Sequence, residues 1–134
     1  KTIKIFNNGD FANDMYRDFT YIDDVVEGVC KILITPKNDQ PMHRILNIGN
    51  NKPEKLMVFI KTLEECLSTS LNRNIEFKKE YEPIKPGDVH KTYASTVLIE
   101  NLLNFKPKTS IKTGLQLFTD WYVQYYKNDL DIHR

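Results

Sequence analysis

At Ile22 the hydrophobic pattern changes its period, and that change decides the fold class. Upstream, Ile3-Lys4-Ile5-Phe6 alternates as a short strand does, and Asn7-Asn8-Gly9 stops it. Residues 10–16 form a polar loop, and Asp18–Tyr21 is expected to make a second short extended piece. From Ile22 onward, Ile22, Val25, Val26, Val29, Ile32 and Leu33 recur at three and four, so one face of a helix is apolar. Asp23 and Asp24 fall in its first turn, where negative charge suits the helix dipole, and Pro36 ends it.

The two periods keep exchanging along the chain. Arg44–Ile48 reads as a strand stopped by Gly49-Asn50-Asn51. Pro53 is placed to open a helix whose stripe is Leu56, Phe59, Ile60, Leu63 and Leu67. Ile75–Lys78 alternates again. Tyr81–Val89 contains Pro83, Pro86 and Gly87 and is read as irregular. Ser95 is a candidate cap for a short helix carrying Leu98, Ile99, Leu102 and Leu103. Ser110 caps the last one, with Ile111, Leu115, Phe118, Tyr122 and Tyr125 on its stripe. The order is strand, loop, helix, strand, helix, strand, loop, helix, helix. That is an α/β chain of short strands and about four helices, with no room for a complete dinucleotide-binding sheet.

A chain of 134 residues can bury one core. We read residues 1–127 as one domain and the patternless segment 128–134 as a frayed tail. The net charge of +1, with both signs mixed, supplies no basic stripe for nucleic acid or a membrane surface. The sequence begins Lys1-Thr2-Ile3 without an initiator Met, so it reads as a piece of something longer. Cys30 and Cys66 both fall near helical stripes, which suggests two buried free thiols in a reducing, cytoplasmic compartment. His43, His90 and His133 show no metal-ligand spacing.

The motifs are sparse. The five glycines, Gly9, Gly28, Gly49, Gly87 and Gly114, make neither G-x-G-x-x-G nor a Walker loop. Tyr81 and Lys85 have the spacing of a dehydrogenase Tyr-x-x-x-Lys pair, but Pro83 and Pro86 forbid the helix such a pair needs. Arg17 sits among aromatics just before a helix. Its planar fork suits a phosphate, while the plainer alternative is a surface ion pair with Asp18 or Asp24. Lys85-Pro86-Gly87-Asp88 offers a cation for phosphate and a carboxylate for ribose hydroxyls, or simply a rigid surface turn. Phe19, Tyr21 and the aromatics of the last helix, Trp121, Tyr122, Tyr125 and Tyr126, read as core.

Four phrases, taken in order, resemble one family. They are "RDFTYIDDVVEG" (Arg17–Gly28), "NIGNNKPEKLMVFI" (Asn47–Ile60), "KPGDVHKTYAS" (Lys85–Ser95) and "FKPKTSIKTGLQLFTDWYVQYY" (Phe105–Tyr126). They are similar to the C-terminal, substrate-binding part of NAD-dependent nucleotide-sugar epimerases of the extended short-chain dehydrogenase class. The UDP-glucuronate 4-epimerases of capsule and O-antigen synthesis are the nearest group.

The resemblance implies that NAD, the glycine fingerprint and the catalytic residues belong to a preceding Rossmann domain. It implies oxidation of the sugar at C4, rotation of the keto intermediate and hydride return to the other face, in an enzyme expected to be a homodimer. For this chain it implies no catalytic residue and a UDP-sugar site. Arg17 is placed on the diphosphate, Lys4, Ile5 and Phe6 on uracil, Asp88 on the nucleotide from the opposite side, and Lys85 where many relatives carry arginine. Phe19 and Tyr21 would hold the Arg17 loop against the core. The seven residues between Gly9 and Arg17 are a longer loop than usual and are expected to affect sugar preference. The competing readings are a dehydratase or reductase of the same fold, and a non-catalytic interaction domain.

Overall fold

The computed structural model describes residues 2–7, 9, 14–35 and 43–127. The expected Pro36 stop, most of the residue 10–16 loop and the 128–134 tail lie outside them. The chain runs β1 (Thr2–Phe6), β2 (Tyr16–Arg17), α1 (Ile22–Ile34), β3 (Glu54–Lys55), α2 (Leu56–Leu71), β4 (Lys78–Glu82), α3 (Val97–Leu103) and α4 (Ile111–Tyr125). It is an α/β arrangement with four helices and short strands.

β1 and β4 pair in parallel, with Thr2 opposite Lys78 and Phe6 opposite Glu82. This register moves the expected strand. Pairing starts at Lys78 rather than Ile75 and continues to Glu82, into the stretch read as irregular. Ile75 and Phe77 instead send their N–H groups to the Ser68 hydroxyl (2.9 Å) and the Glu64 carboxylate (2.8 Å), which tie them to α2. β2 and β3 form a two-residue antiparallel ladder, with Tyr16 opposite Lys55 and Arg17 opposite Glu54. Because β3 takes Glu54 and Lys55, α2 begins at Leu56 and not at Pro53.

Asp18–Tyr21 is not a strand. The Asp18 carboxylate accepts N–H bonds from Ala94 (3.0 Å), Asn51 (3.2 Å) and Lys52 (3.4 Å), and this local bonding takes the place of a ladder. Arg44–Ile48 also remains outside any sheet. β1 is paired to β4 and β2 to β3, and no backbone edge among the described residues is given to it. Ile45 is left 90% exposed.

Ile5, Met15, Ile60, Cys66, Ile99, Phe105 and Leu115 are buried and form the centre. α2 packs along α4, and a polar clasp joins them. The Ser70 hydroxyl lies 3.0 Å from that of Thr119 and 2.6 Å from the Asp120 carboxylate, and it accepts from the Gln116 amide at 3.0 Å. Thr119 is fully buried, so its hydroxyl needs such partners. Ser110 caps α4 as expected, accepting the Thr113 N–H at 3.1 Å. The cap position of α3 is Thr96, not Ser95, and the Thr96 hydroxyl bonds the Glu100 carboxylate rather than a backbone amide.

α1 is the main departure. Its apolar stripe faces outward, with Leu33 72% and Ile34 78% exposed and Ile22, Val26 and Val29 also exposed. The side turned inward carries Asp24 and Gly28. Asp24 is more than a dipole partner, for its buried carboxylate accepts the Thr109 N–H at 2.9 Å. Cys30 lies on the exposed side, so only Cys66 is the buried thiol expected. Burial pushes the Cys66 thiol pKa up. Trp121 and Tyr125 are likewise exposed rather than core.

Candidate functional site

Arg17 ends the short β2 strand and is half-buried. Its guanidinium donates to the Tyr16 carbonyl at 2.8 Å and reaches the His90 carbonyl at 3.5 Å. The ladder next to it is sewn by Tyr16 N–H to His90 O (2.8 Å) and Thr92 N–H to Tyr16 O (3.2 Å). The segment after the Pro-Gly turn is thereby fixed against β2.

The two carboxylates proposed as surface partners for Arg17 are both engaged elsewhere. Asp18 takes three backbone N–H groups, and Asp24 takes Thr109. Among the described residues no carboxylate forms an ion pair with Arg17. An arginine held in place by carbonyls, with its neighbouring acids otherwise occupied, is without a charge partner among the described residues.

Asp18 was legible only as a possible partner of Arg17. It is in fact the post to which residues 49–52 and 92–94 are tied. The signal that could have found it is Gly49. A Cβ there would lie 2.4 Å from the Ala94 side chain and 3.0 Å from the Asp18 carboxylate, so only glycine permits this approach. The Arg17 loop is also pinned by its aromatics. Phe19 stacks on Phe59 with ring centres 4.3 Å apart, and the Tyr21 ring lies against Gly114.

The residues expected to take uracil are less alike than their adjacency suggests. The Lys4 ammonium pairs with Glu82 at 2.6 Å across the β1–β4 ladder. That hydrogen bond and the Glu82 charge raise its pKa. Ile5 is 1% exposed, so its side chain belongs to the core. Both can offer backbone groups only. Phe6 is half-buried, and the Lys85 ammonium rests 4.4 Å from its ring centre. Lys85 and Asp88 share a turn closed by Asp88 N–H to Lys85 O (3.1 Å), with Gly87 at φ +93°. Asp88 is exposed.

The loop 83–90 therefore runs from the Phe6 ring at one end to the Arg17 guanidinium at the other, carrying Lys85 and Asp88 between them. Of the six expected residues, Phe6 and Lys85 meet directly, Asp88 shares the Lys85 turn, Arg17 touches the end of the same loop, Lys4 is paired with Glu82 and Ile5 is in the core. Concavities of about 390, 260 and 360 Å³ lie elsewhere, around the start of α4 and between α2 and α4. Among the described residues there is no cluster that could hold a metal ion.

No protein-family model matches the chain. Individual proteins do. Protein CapI of Staphylococcus aureus is 34% identical over 95% of this chain and 39% of its own length. A probable UDP-glucuronate 4-epimerase of Rhizobium meliloti is 33% identical over 84% of this chain and 36% of its own. The solved UDP-glucuronic acid 4-epimerase of Bacillus cereus, in complex with UDP-glucuronic acid and NAD, superimposes with a TM-score of 0.76. It is 28% identical, and the match covers 94% of this chain and 36% of that one. The chain thus spans well under half the length of the relatives it matches. It is a homologue of the UDP-glucuronate 4-epimerases within the NAD-dependent UDP-sugar epimerases, and accounts for 36% of a solved one.

Proposed function

We propose that this chain is the C-terminal, UDP-sugar-binding part of a UDP-glucuronate 4-epimerase-like enzyme, acting in the cytoplasm in capsule or O-antigen polysaccharide synthesis. The observation that carries this is the free charge of Arg17, set at one end of a loop whose other end meets Phe6. Arg17 takes the diphosphate. The Phe6 ring and the backbone of Lys4 and Ile5 take the base. Asp88 accepts from the ribose, and Lys85 adds charge near the phosphates.

NAD does not fit the residues of this chain. Gly28, Gly49 and Gly114 are each packed against a side chain (Phe105, Ala94 and Tyr21), not left open to a pyrophosphate. The parallel pairing among the described strands is β1 with β4, besides a single bridge between Tyr16 and Lys91. NAD is assigned to a preceding Rossmann domain, and the chain alone is taken to be inactive.

That domain is also the partner the surface calls for. Exposed apolar residues on α1, together with a strand-like segment at 44–48 that belongs to neither described sheet, are what a helix and an edge strand look like when their sheet is elsewhere. The whole enzyme is taken to be a homodimer.

A thermal-shift titration with UDP, UDP-glucuronate and dTDP tests the reading, because a ligand that binds only the folded state raises its melting point. UDP and UDP-glucuronate should each stabilise the chain, by about 2.7 kcal/mol at a hundred times Kd, and dTDP should stabilise it less at the same concentration. A larger effect of dTDP would favour a dehydratase or reductase of the same fold. No shift with any of the three at millimolar concentration would favour a non-catalytic interaction domain.

A further inference from the structure

Lys85 is an exposed residue, and its ammonium is placed against an aromatic face. It lies over the Phe6 ring, 4.4 Å from the centre. An ammonium this close occupies the face on which a planar base would stack. Nothing else among the described residues holds it there. Lys4, the neighbouring cation, has taken Glu82, and Lys85 forms no ion pair in the described surface. A cation over a ring at an exposed site is a weak hold, worth only a few-fold in equilibrium. A charge-assisted bond to phosphate is stronger.

The backbone places Lys85 where the exchange can occur. Its turn is closed by Asp88 N–H to Lys85 O, and the next stretch reaches Arg17 through the His90 carbonyl at 3.5 Å. Lys85 thus stands on the loop that leads from the ring to the guanidinium, with a flexible four-carbon stem.

We propose that Lys85 makes the site selective for nucleoside diphosphates and their sugar esters over nucleosides. In the empty site its ammonium covers the Phe6 ring. A ligand that carries a diphosphate draws the ammonium off the ring and is repaid by the new charge contact. A ligand without phosphate must displace it and gains nothing. This rests on the assignment of Phe6 to the base and Arg17 to the diphosphate.

Calorimetric titration of uridine and UDP into the wild-type chain and into Lys85→Ala, Lys85→Met and Lys85→Arg tests it. The two ligands should move in opposite directions. Lys85→Ala should tighten uridine about three-fold, by uncovering the ring. It should weaken UDP about ten-fold, by removing the charge. Lys85→Met should follow Lys85→Ala, which shows that charge and not stem length is responsible. Lys85→Arg should keep the wild-type preference for UDP. If wild type binds UDP but Lys85→Ala leaves uridine unchanged or weaker, the selectivity role is overturned while the nucleotide site stands. If wild type binds no UDP, the site assignment fails and this role fails with it.

Discussion

α2 and α4 form a finished interface, and α1 with the 44–48 segment forms an open one. In the first, apolar residues such as Ile60, Cys66 and Leu115 are buried, and the polar groups between the helices are matched to one another. In the second, the apolar residues are outside and the acid Asp24 is inside. Both helices are amphipathic in sequence. Amphipathicity tells that a face will be covered, and not by what. The contrast teaches that the apolar residues of α1 are left exposed by the described residues, which is what the proposed preceding domain would cover.

The sharpest way to break the contrast is to truncate one residue from each side. Ile60→Ala, at a buried position on α2, should cost about 2–5 kcal/mol in chemical denaturation. Leu33→Ala, the same kind of deletion on α1, should stay within about 0.5 kcal/mol. Equal losses would mean that the α1 stripe is packed in solution and the contrast is false.

A second prediction concerns association. The open face should make the chain self-associate at high concentration. Val26→Glu with Leu33→Glu should return it to monomer in light scattering, with little loss of melting temperature. A strictly monomeric wild type would count against an uncovered apolar face.

The smallest effect lies on the finished side. Burial opposes ionisation of Glu64, but its bonds to Lys79 (2.6 Å) and to the Phe77 N–H outweigh that and lower its pKa. A carboxyl whose folded pKa lies below its unfolded value stabilises the fold above the unfolded pKa, and this is lost as pH falls through the folded one. Glu64→Gln should therefore cost on the order of 1 kcal/mol at neutral pH. The difference from wild type should shrink as pH falls from the unfolded pKa, about 4.3, through the lower folded one, below which the carboxyl is protonated in both states. A gap that does not narrow on acidification would mean that the charge is not what matters.

The four helices were legible because their periodicity is a property of the chain itself. The Ser110 cap was legible for the same reason, since its partner is three residues away. Of the strands, Ile3–Phe6 was legible and stands as β1 over Thr2–Phe6, but the others were not, because a strand is defined by a neighbour. The β1–β4 register draws Tyr81 and Glu82 into a ladder that nothing local predicts, while Arg44–Ile48 has the pattern of a strand and no described edge to join. Phe6, Arg17, Lys85 and Asp88 were named from type, spacing and resemblance. That one loop links Phe6 to Arg17 depends on contacts more than seventy residues apart in sequence, such as Arg17 with His90. The role of Asp18 was hidden because its partners are backbone N–H groups, which carry no sequence signature.

The most direct test of the account compares UDP with uridine on Arg17→Ala by calorimetry. If Arg17 holds the diphosphate, its charge-assisted bonds are worth roughly 1.5–3 kcal/mol. UDP should then bind about ten-fold to a hundred-fold more weakly than to wild type. Uridine, which has no phosphate, should bind both proteins alike. Arg17→Lys should recover only part of the UDP affinity, because an ammonium lacks the planar two-point contact. Equal weakening of uridine and UDP would show that Arg17 only holds the 90–92 segment in place, and would contradict the assignment of this surface to a nucleotide sugar.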